Sequence, residues 1–223
     1  MDTDLLLVED LLLLLLDDKT GAIAGEGTLY YVLGGAVLTE LALHDQVTID
    51  GKRTLLNGPR VTALAGEKPT DALLRSGYDI VAEKPRGVAE LLIRIGTGLR
   101  GQVLDRLLER GFIRRETTRT LGIFRTTRLP ADRPDYEAEL LARVRAVLVD
   151  GAEPDTRTAA LVALFSASGT LPQFDRLIPW SGAVYTRGKA LEAGHWAAAA
   201  VSSAVTRTVA SSAGGSIALV LKD

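Results

Sequence analysis

The sequence predicts a mainly α fold with one projecting β-hairpin, and three observations carry that prediction. Apolar residues recur at helical spacing along most of the 223 residues. Aromatic residues make up only 5% of the chain, so the core is built from Leu, Ala and Val, which suits helices. One stretch alone, residues 112–127, reads as two strands about a turn. With 47% hydrophobic residues the chain is too apolar for disorder and long enough for a real core. No linker is long enough to force a boundary, so one domain over residues 1–223 is expected.

The elements follow in order. Asp4 or Thr3 is placed to cap a first helix that runs to Leu16, and DDKTG at 17–21 stops it. Residues 28–43 carry apolar side chains at 29, 32, 33, 36, 37 and 41, a helical stripe with Tyr30 and Tyr31 at its edge. Residues 46–50 alternate like a short strand, and Asp50–Gly51 is a turn signal. Pro69, Thr70 and Asp71 open another helix, with Leu73, Leu74 and Ile80 inward. Residues 88–110 are helical around a glycine-rich interruption at 96–101. Residues 112–116 and 121–127 form the arms of the hairpin, joined through 117–120. Pro134 precedes an amphipathic helix through Asp150, with 140, 141, 144, 147 and 148 apolar. Helices over 156–167, 169–180 and 183–191 and an Ala-rich C-terminal helix complete the chain.

Several chemistries are excluded or unsupported. There is no cysteine, which removes disulfides and thiol catalysis. His44 and His195 are the only histidines and lack ligand-spaced partners, so each reads as an ordinary polar or packing residue and no metal is expected. Asp17–Asp18 reads as a helix-end cap with solvated charge. No nucleophile elbow, zincin motif or phosphate-binding loop occurs, so neither an enzyme nor a cofactor is expected. The apolar run at 11–16 is too short to span a bilayer, and the acidic residues before it do not suit a secretory signal. The weakly polar stretch 197–221 is broken by Arg207, several Ser and Thr, and Gly214–Gly215, and reads as buried helix. The cytoplasm is the expected compartment.

Charge is uneven. Residues 1–50 hold ten acidic residues against Lys19 alone, while residues 94–128 hold nine Arg against Asp105, Glu109 and Glu116. Either the two regions face each other or water, or the basic segment meets an anionic partner. GTGLRG at 96–101 matches the dinucleotide pattern, but no βαβ succession surrounds it, and its glycines fit a loosened helix start better. The Arg-rich segment 104–130 also looks like the last helix and wing of a winged helix, which makes a DNA-binding regulator the alternative reading. The formal net charge of −2 weighs against that, and no nucleic acid partner is expected.

The strongest signal is several segments taken in order. LLLVEDLLLLLLDDKTG at 5–21, LTELALHDQVTI at 38–49, PTDALLRSGYDIV at 69–81 and LRGQVLDRLLERGFI at 99–113, with the hairpin, resemble the Golgi phosphoprotein 3-like family. Similarity continues through TAALVALFSASGTL at 158–171 to the end. The short N-terminal end and the Ala, Arg and Gly bias fit a bacterial-type member. The resemblance implies one domain, a helical bundle surrounded by amphipathic helices with a projecting hairpin. It also implies a non-enzymatic peripheral membrane adaptor, which in eukaryotic members binds phosphatidylinositol 4-phosphate and the cytosolic tails of glycosyltransferases.

The family's lipid pocket combines a tryptophan, an arginine just before the helix that matches residues 35–43, and two arginines one turn apart. Those positions fall near Gly25, on Gly34, and on Thr97 and Arg100. Arg100 and Thr97 are therefore the expected lipid or phosphate site, with poor discrimination among phosphoinositides. The family's hairpin supports self-association. Here Phe112, Leu121, Ile123 and Phe124 would be its apolar anchors in a homo-oligomer, unless those side chains fold back onto their own domain. The acidic N-terminal fifty residues would complement the arginines of a neighbouring copy.

Overall fold

The computed structural model describes residues 5–50, 60–120 and 124–220, with side chains outside 118–126 and 212–220. Helix α1 (Leu7–Leu15) is buried on every side, because α2 (Leu29–Leu43), α5 (Leu99–Glu109), α6 (Pro134–Arg145) and α7 (Thr156–Ala167) all pack against it. The expected caps Thr3 and Asp4 lie outside the described residues. The observed start is at Leu6, whose amide donates to the Glu9 carboxylate at 2.7 Å. The stop at 17–21 is as expected. Asp17 accepts from the amides of Lys19 and Thr20, and Leu16 bridges to Ile23.

A short 3-10 turn at Glu26–Thr28 leads into α2. This helix is more than a stripe. It touches α1, α5, α7, α3 (Ala72–Ala82), α4 (Val88–Gly96) and α9 (Trp196–Val220), and its Gly34, Gly35, Thr39 and Glu40 are buried with its Leu and Val. A helix surrounded on all sides is the axis of a bundle.

Beside it lies a small antiparallel sheet, β1 (Val47–Ile49), β2 (Arg60–Ala63) and β3 (Arg86–Gly87), in that spatial order. Only β1 was foreseen, and Gly51 of the expected turn lies outside the described residues. Asp71 caps α3, its carboxylate accepting from the amides of Leu73 and Leu74 at 2.9 and 3.2 Å. Of its apolar residues Leu73 and Leu74 are buried, while Ile80 is only half-buried.

Residues 96–101 join two helices. α4 ends at Gly96, and α5 begins at Leu99 after Gly98, whose φ of +83° favours glycine. A helix and not a strand precedes the motif, so the dinucleotide reading fails. Gly34 and Gly96 let α2 and α4 cross with their backbones touching. A Cβ on Gly96 would overlap the Tyr30 carbonyl oxygen, and one on Gly34 would overlap that of Leu92.

The hairpin is present with shifted bounds. β4 (Glu116–Thr120) and β5 (Phe124–Arg128) pair antiparallel from Glu116↔Arg128 to Thr120↔Phe124. Residues 117–120, expected as the turn, are strand. Residues 112–113, expected as strand, belong to the core: Phe112 is 2% exposed and Ile113 bridges to Ala131.

α6 starts at Pro134 and ends in a π-helical turn at Ala146–Asp150. Asp155 caps α7, accepting from the Thr158 amide at 2.8 Å. The helix expected over 169–180 is reduced to a 3-10 turn at Leu171–Phe174, since Pro172 and Pro179 prevent a continuous ladder. α8 (Gly182–Gly194) and α9 close the bundle against α7. Among the described residues no helix is long and apolar enough to cross a membrane.

Candidate functional site

The 3-10 turn before α2 meets the junction of α4 and α5 at one corner of the bundle. Arg100 is the second residue of α5, and its Nε lies 2.7 Å from the Glu26 carboxylate. Both side chains are about half exposed, at 48% and 53%. Gly98, at the cap position of α5, offers no side-chain acceptor, so the first amides of that helix are not side-chain capped. Thr97 is exposed but its hydroxyl donates backward to the Ile93 carbonyl at 2.7 Å, closing the end of α4.

The other expected positions contribute no cation. Gly25 has φ +72° and lies against Thr170. Gly34 is sealed in the crossing of α2 with α4, where no longer side chain fits. The corner thus holds Arg100 with Glu26 opposite. Glu26 had no signal in the sequence, because only the bend before α2 brings it to the start of α5.

The acidic and basic segments do face each other. Glu9, wholly buried, accepts from Arg106 Nε at 3.1 Å and from Arg110 at 2.9 Å. Arg106 also donates to Asp71 at 2.9 Å. Glu40 accepts from Arg157 at 2.6 Å and from the Leu7 amide. Arg157 reaches on to Asp10 at 3.3 Å and to the Leu5 carbonyl. Tyr136 donates to Asp10 at 2.6 Å. Burial raises the Asp10 carboxyl to about 6 against the pull of Tyr136 and Arg157, and it pushes the Tyr136 phenol up as well.

This network joins α1, α2, α5, α6 and α7 and stands as structure. Arg106 and Arg110 are committed within their own chain, so the expected complement between copies loses those two arginines, as does the winged-helix reading. Its carboxylates had a signal in the sequence: Glu9 and Asp10 interrupt an otherwise unbroken apolar run and so are buried with it.

The histidines have ordinary roles. His44 Nε2 lies 3.5 Å from Glu40, and His195 Nδ1 accepts from the Ala198 amide at the start of α9. Burial holds the His195 imidazole below its usual range. Asp17 holds its turn, as expected of a cap. Asp18 lies under the hairpin base, and burial raises its carboxyl. No cluster of three or more His, Cys, Asp or Glu among the described residues is placed to hold a metal ion.

Of the expected oligomerisation residues, Phe112 is a correction. Its ring meets Tyr136 edge-on at 4.9 Å and carries the Arg133 guanidinium at 4.4 Å, inside its own chain. A residue so enclosed is not available as an anchor. Leu121 and Ile123 lie outside the described residues, as does the side chain of Phe124.

The comparisons agree with the resemblance in the sequence. A family model described as Golgi phosphoprotein 3 (GPP34) matches residues 7–208. Comparison with curated proteins finds no match.

Proposed function

The chain belongs to the Golgi phosphoprotein 3 family, and from that premise we propose that it is a non-enzymatic peripheral adaptor on the cytoplasmic face of a membrane. Its lipid contact is the phosphate of an anionic headgroup, taken by Arg100 together with the first amides of α5. The observation that carries this reading is the Arg100–Glu26 pair: a half-exposed guanidinium at a helix start, held among the described residues by a half-exposed carboxylate. Exposed pairs of this kind are worth about 1 kcal/mol at most, so a phosphate can displace Glu26. Thr97 stands at the rim with its hydroxyl proton committed to the Ile93 carbonyl, so it adds no donor while that bond holds. Gly25 and Gly34 add no charge, so affinity is weak and discrimination among phosphoinositides poor.

The hairpin, freed of Phe112, is the surface proposed for self-association, and tails of membrane proteins are the proposed clients. The test is flotation with phosphatidylcholine vesicles carrying phosphatidylglycerol or phosphatidylinositol 4-phosphate. Weak binding to both, reduced several-fold in Arg100→Ala, is expected. Equal binding by wild type and Arg100→Ala removes Arg100 from the site. Tight binding confined to the phosphoinositide means that the specificity has been misjudged.

A further inference from the structure

The stretch from the end of α7 to the first turn of α8 holds three of the six large apolar side chains that are exposed among the described residues. Leu177 is 48% exposed, Trp180 38% and Tyr185 52%. The surface they form is ordered from beneath. Ile178 is fully buried, and Phe174 meets Phe165 edge-on at 5.1 Å. The Trp180 amide donates to the Asp175 carboxylate at 2.8 Å, and Arg145 donates to the Leu177 carbonyl. The Trp180 and Tyr185 rings stand edge to face at 6.2 Å. A short segment braced at both ends, with its largest rings outward, is built for contact.

The choice of occupant follows from size and charge. The three side chains expose roughly 300 Å² of largely apolar surface. A stable interface between copies buries about 800 Å² on each partner, so this patch is too small for one. Two cations flank it, Arg145 behind Leu177 and exposed Arg176, while Lys189, 5.9 Å from the centre of the Tyr185 ring, is paired with Glu192 at 2.8 Å. Asp175 is the one acid between Pro172 and Leu191, and its carboxylate is turned to the Trp180 amide. Trp and Tyr favour the headgroup level of a bilayer, and neighbouring Lys and Arg favour anionic lipid.

We propose that residues 175–185 form a second membrane contact, separate from Arg100, in which Leu177, Trp180 and Tyr185 enter the boundary between headgroups and acyl chains of an anionic bilayer. Arg145 and Arg176 then lie at the level of the phosphates. The insertion is shallow, and the hydrogen bonds of the loop remain intact.

The chain has two tryptophans, and Trp196→Phe leaves Trp180 as the sole reporter. Phosphatidylcholine vesicles with phosphatidylglycerol should shift its emission to the blue, and brominated acyl chains should quench it. Pure phosphatidylcholine should do so less. In the unaltered chain, Trp180→Phe should remove the quenched emission, which covers the case in which the Trp196 variant does not fold. Leu177→Ala with Tyr185→Ala should weaken partitioning about tenfold, with unchanged circular dichroism. At saturating lipid, Arg100→Ala should leave the quenching in place, so failure of the headgroup site and failure of this contact are told apart. Unquenched Trp180 emission in the presence of vesicles overturns the proposal. So does a blue shift that grows with protein concentration in lipid-free buffer, since a second copy then covers the patch.

Discussion

Glu9 shows what a buried charge does in this molecule. It sits in a run of leucines, yet its two oxygens are divided among the Leu6 amide, Arg106 and Arg110. Removing one partner of such a set leaves uncompensated charge, and Glu9→Ala should cost about 3 kcal/mol in urea denaturation, the low end for a buried pair because both arginines reach solvent. Two other carboxylates set the pH dependence. Burial raises Asp10 to about 6, and burial with the nearby Asp18 charge raises Glu137 to about 7. Each binds its proton more tightly folded than unfolded. Its contribution is therefore complete below about pH 4, where the unfolded group also holds its proton, and is lost as pH rises through 6 to 7. Asp17 and Asp155 are held low by hydrogen bonds and act oppositely, losing their contribution in acid. Stability should thus peak in mild acid and fall from pH 5 to pH 8. Glu137→Gln should flatten that fall and add roughly 1 kcal/mol at pH 8, a figure reduced for its partial exposure; chemical denaturation across that range measures both. At this scale Asp71 was legible as a cap because a cap is local. Glu26 was not, because its partner is brought by the fold.

Elements were legible where one local rule decided them. Pro134 and Asp71 begin helices by chemistry that operates within a turn, and α2, α5 and α7 carry apolar residues at helical spacing. β2 and β3 are too short to show a period, and they exist because β1 offers an edge to β2 and β2 offers one to β3. The helix expected over 169–180 had the apolar content but two prolines inside it. In the hairpin, Phe112 follows the helix end so closely that its apolar character served the core, while the polar Thr117 to Thr120 supply the strand. The crossing of α2 and α4 was legible only as loose glycines. Gly96→Ala should cost about 3 kcal/mol in thermal or urea unfolding, because the added methyl meets backbone that cannot move aside. The corrected strands also define the test of self-association. Ile113 and Arg114 are tied to Ala131 and Pro130, so a deletion must spare them. Replacing residues 117–127 with an Asn-Gly turn should keep the helical spectrum and abolish concentration-dependent sedimentation. A variant that still associates as the wild type does would exclude the hairpin as the contact.

At the scale of the whole molecule the opposed charge of residues 1–50 and 94–128 was plain in the sequence, but its meaning was not. Composition does not distinguish segments that meet each other from segments that wait for a partner. Here Glu9 takes Arg106 and Arg110, and Glu26 takes Arg100, so much of the apparent basic field is spent inside the chain. With a formal net charge of −2, the molecule as a whole has no pull toward an anionic surface. Any membrane affinity must come from local contacts, and the two proposed contacts differ in physics. The Arg100 contact is exposed and electrostatic, and ions screen it over about 10 Å at 0.1 M salt. The Trp180 contact is apolar and is screened little. Raising salt from low to physiological strength should therefore weaken vesicle binding of the wild type several-fold and then leave a plateau. Arg100→Ala should start near that plateau and respond less. The Leu177→Ala, Tyr185→Ala variant should lose the plateau and keep the slope. Arg75→Ala, which removes an equal charge that donates to the Pro69 carbonyl, should behave as wild type. Vesicle co-sedimentation over a salt series separates these curves, and an Arg75 variant as impaired as the Arg100 variant would show that bulk charge, not a site, governs binding.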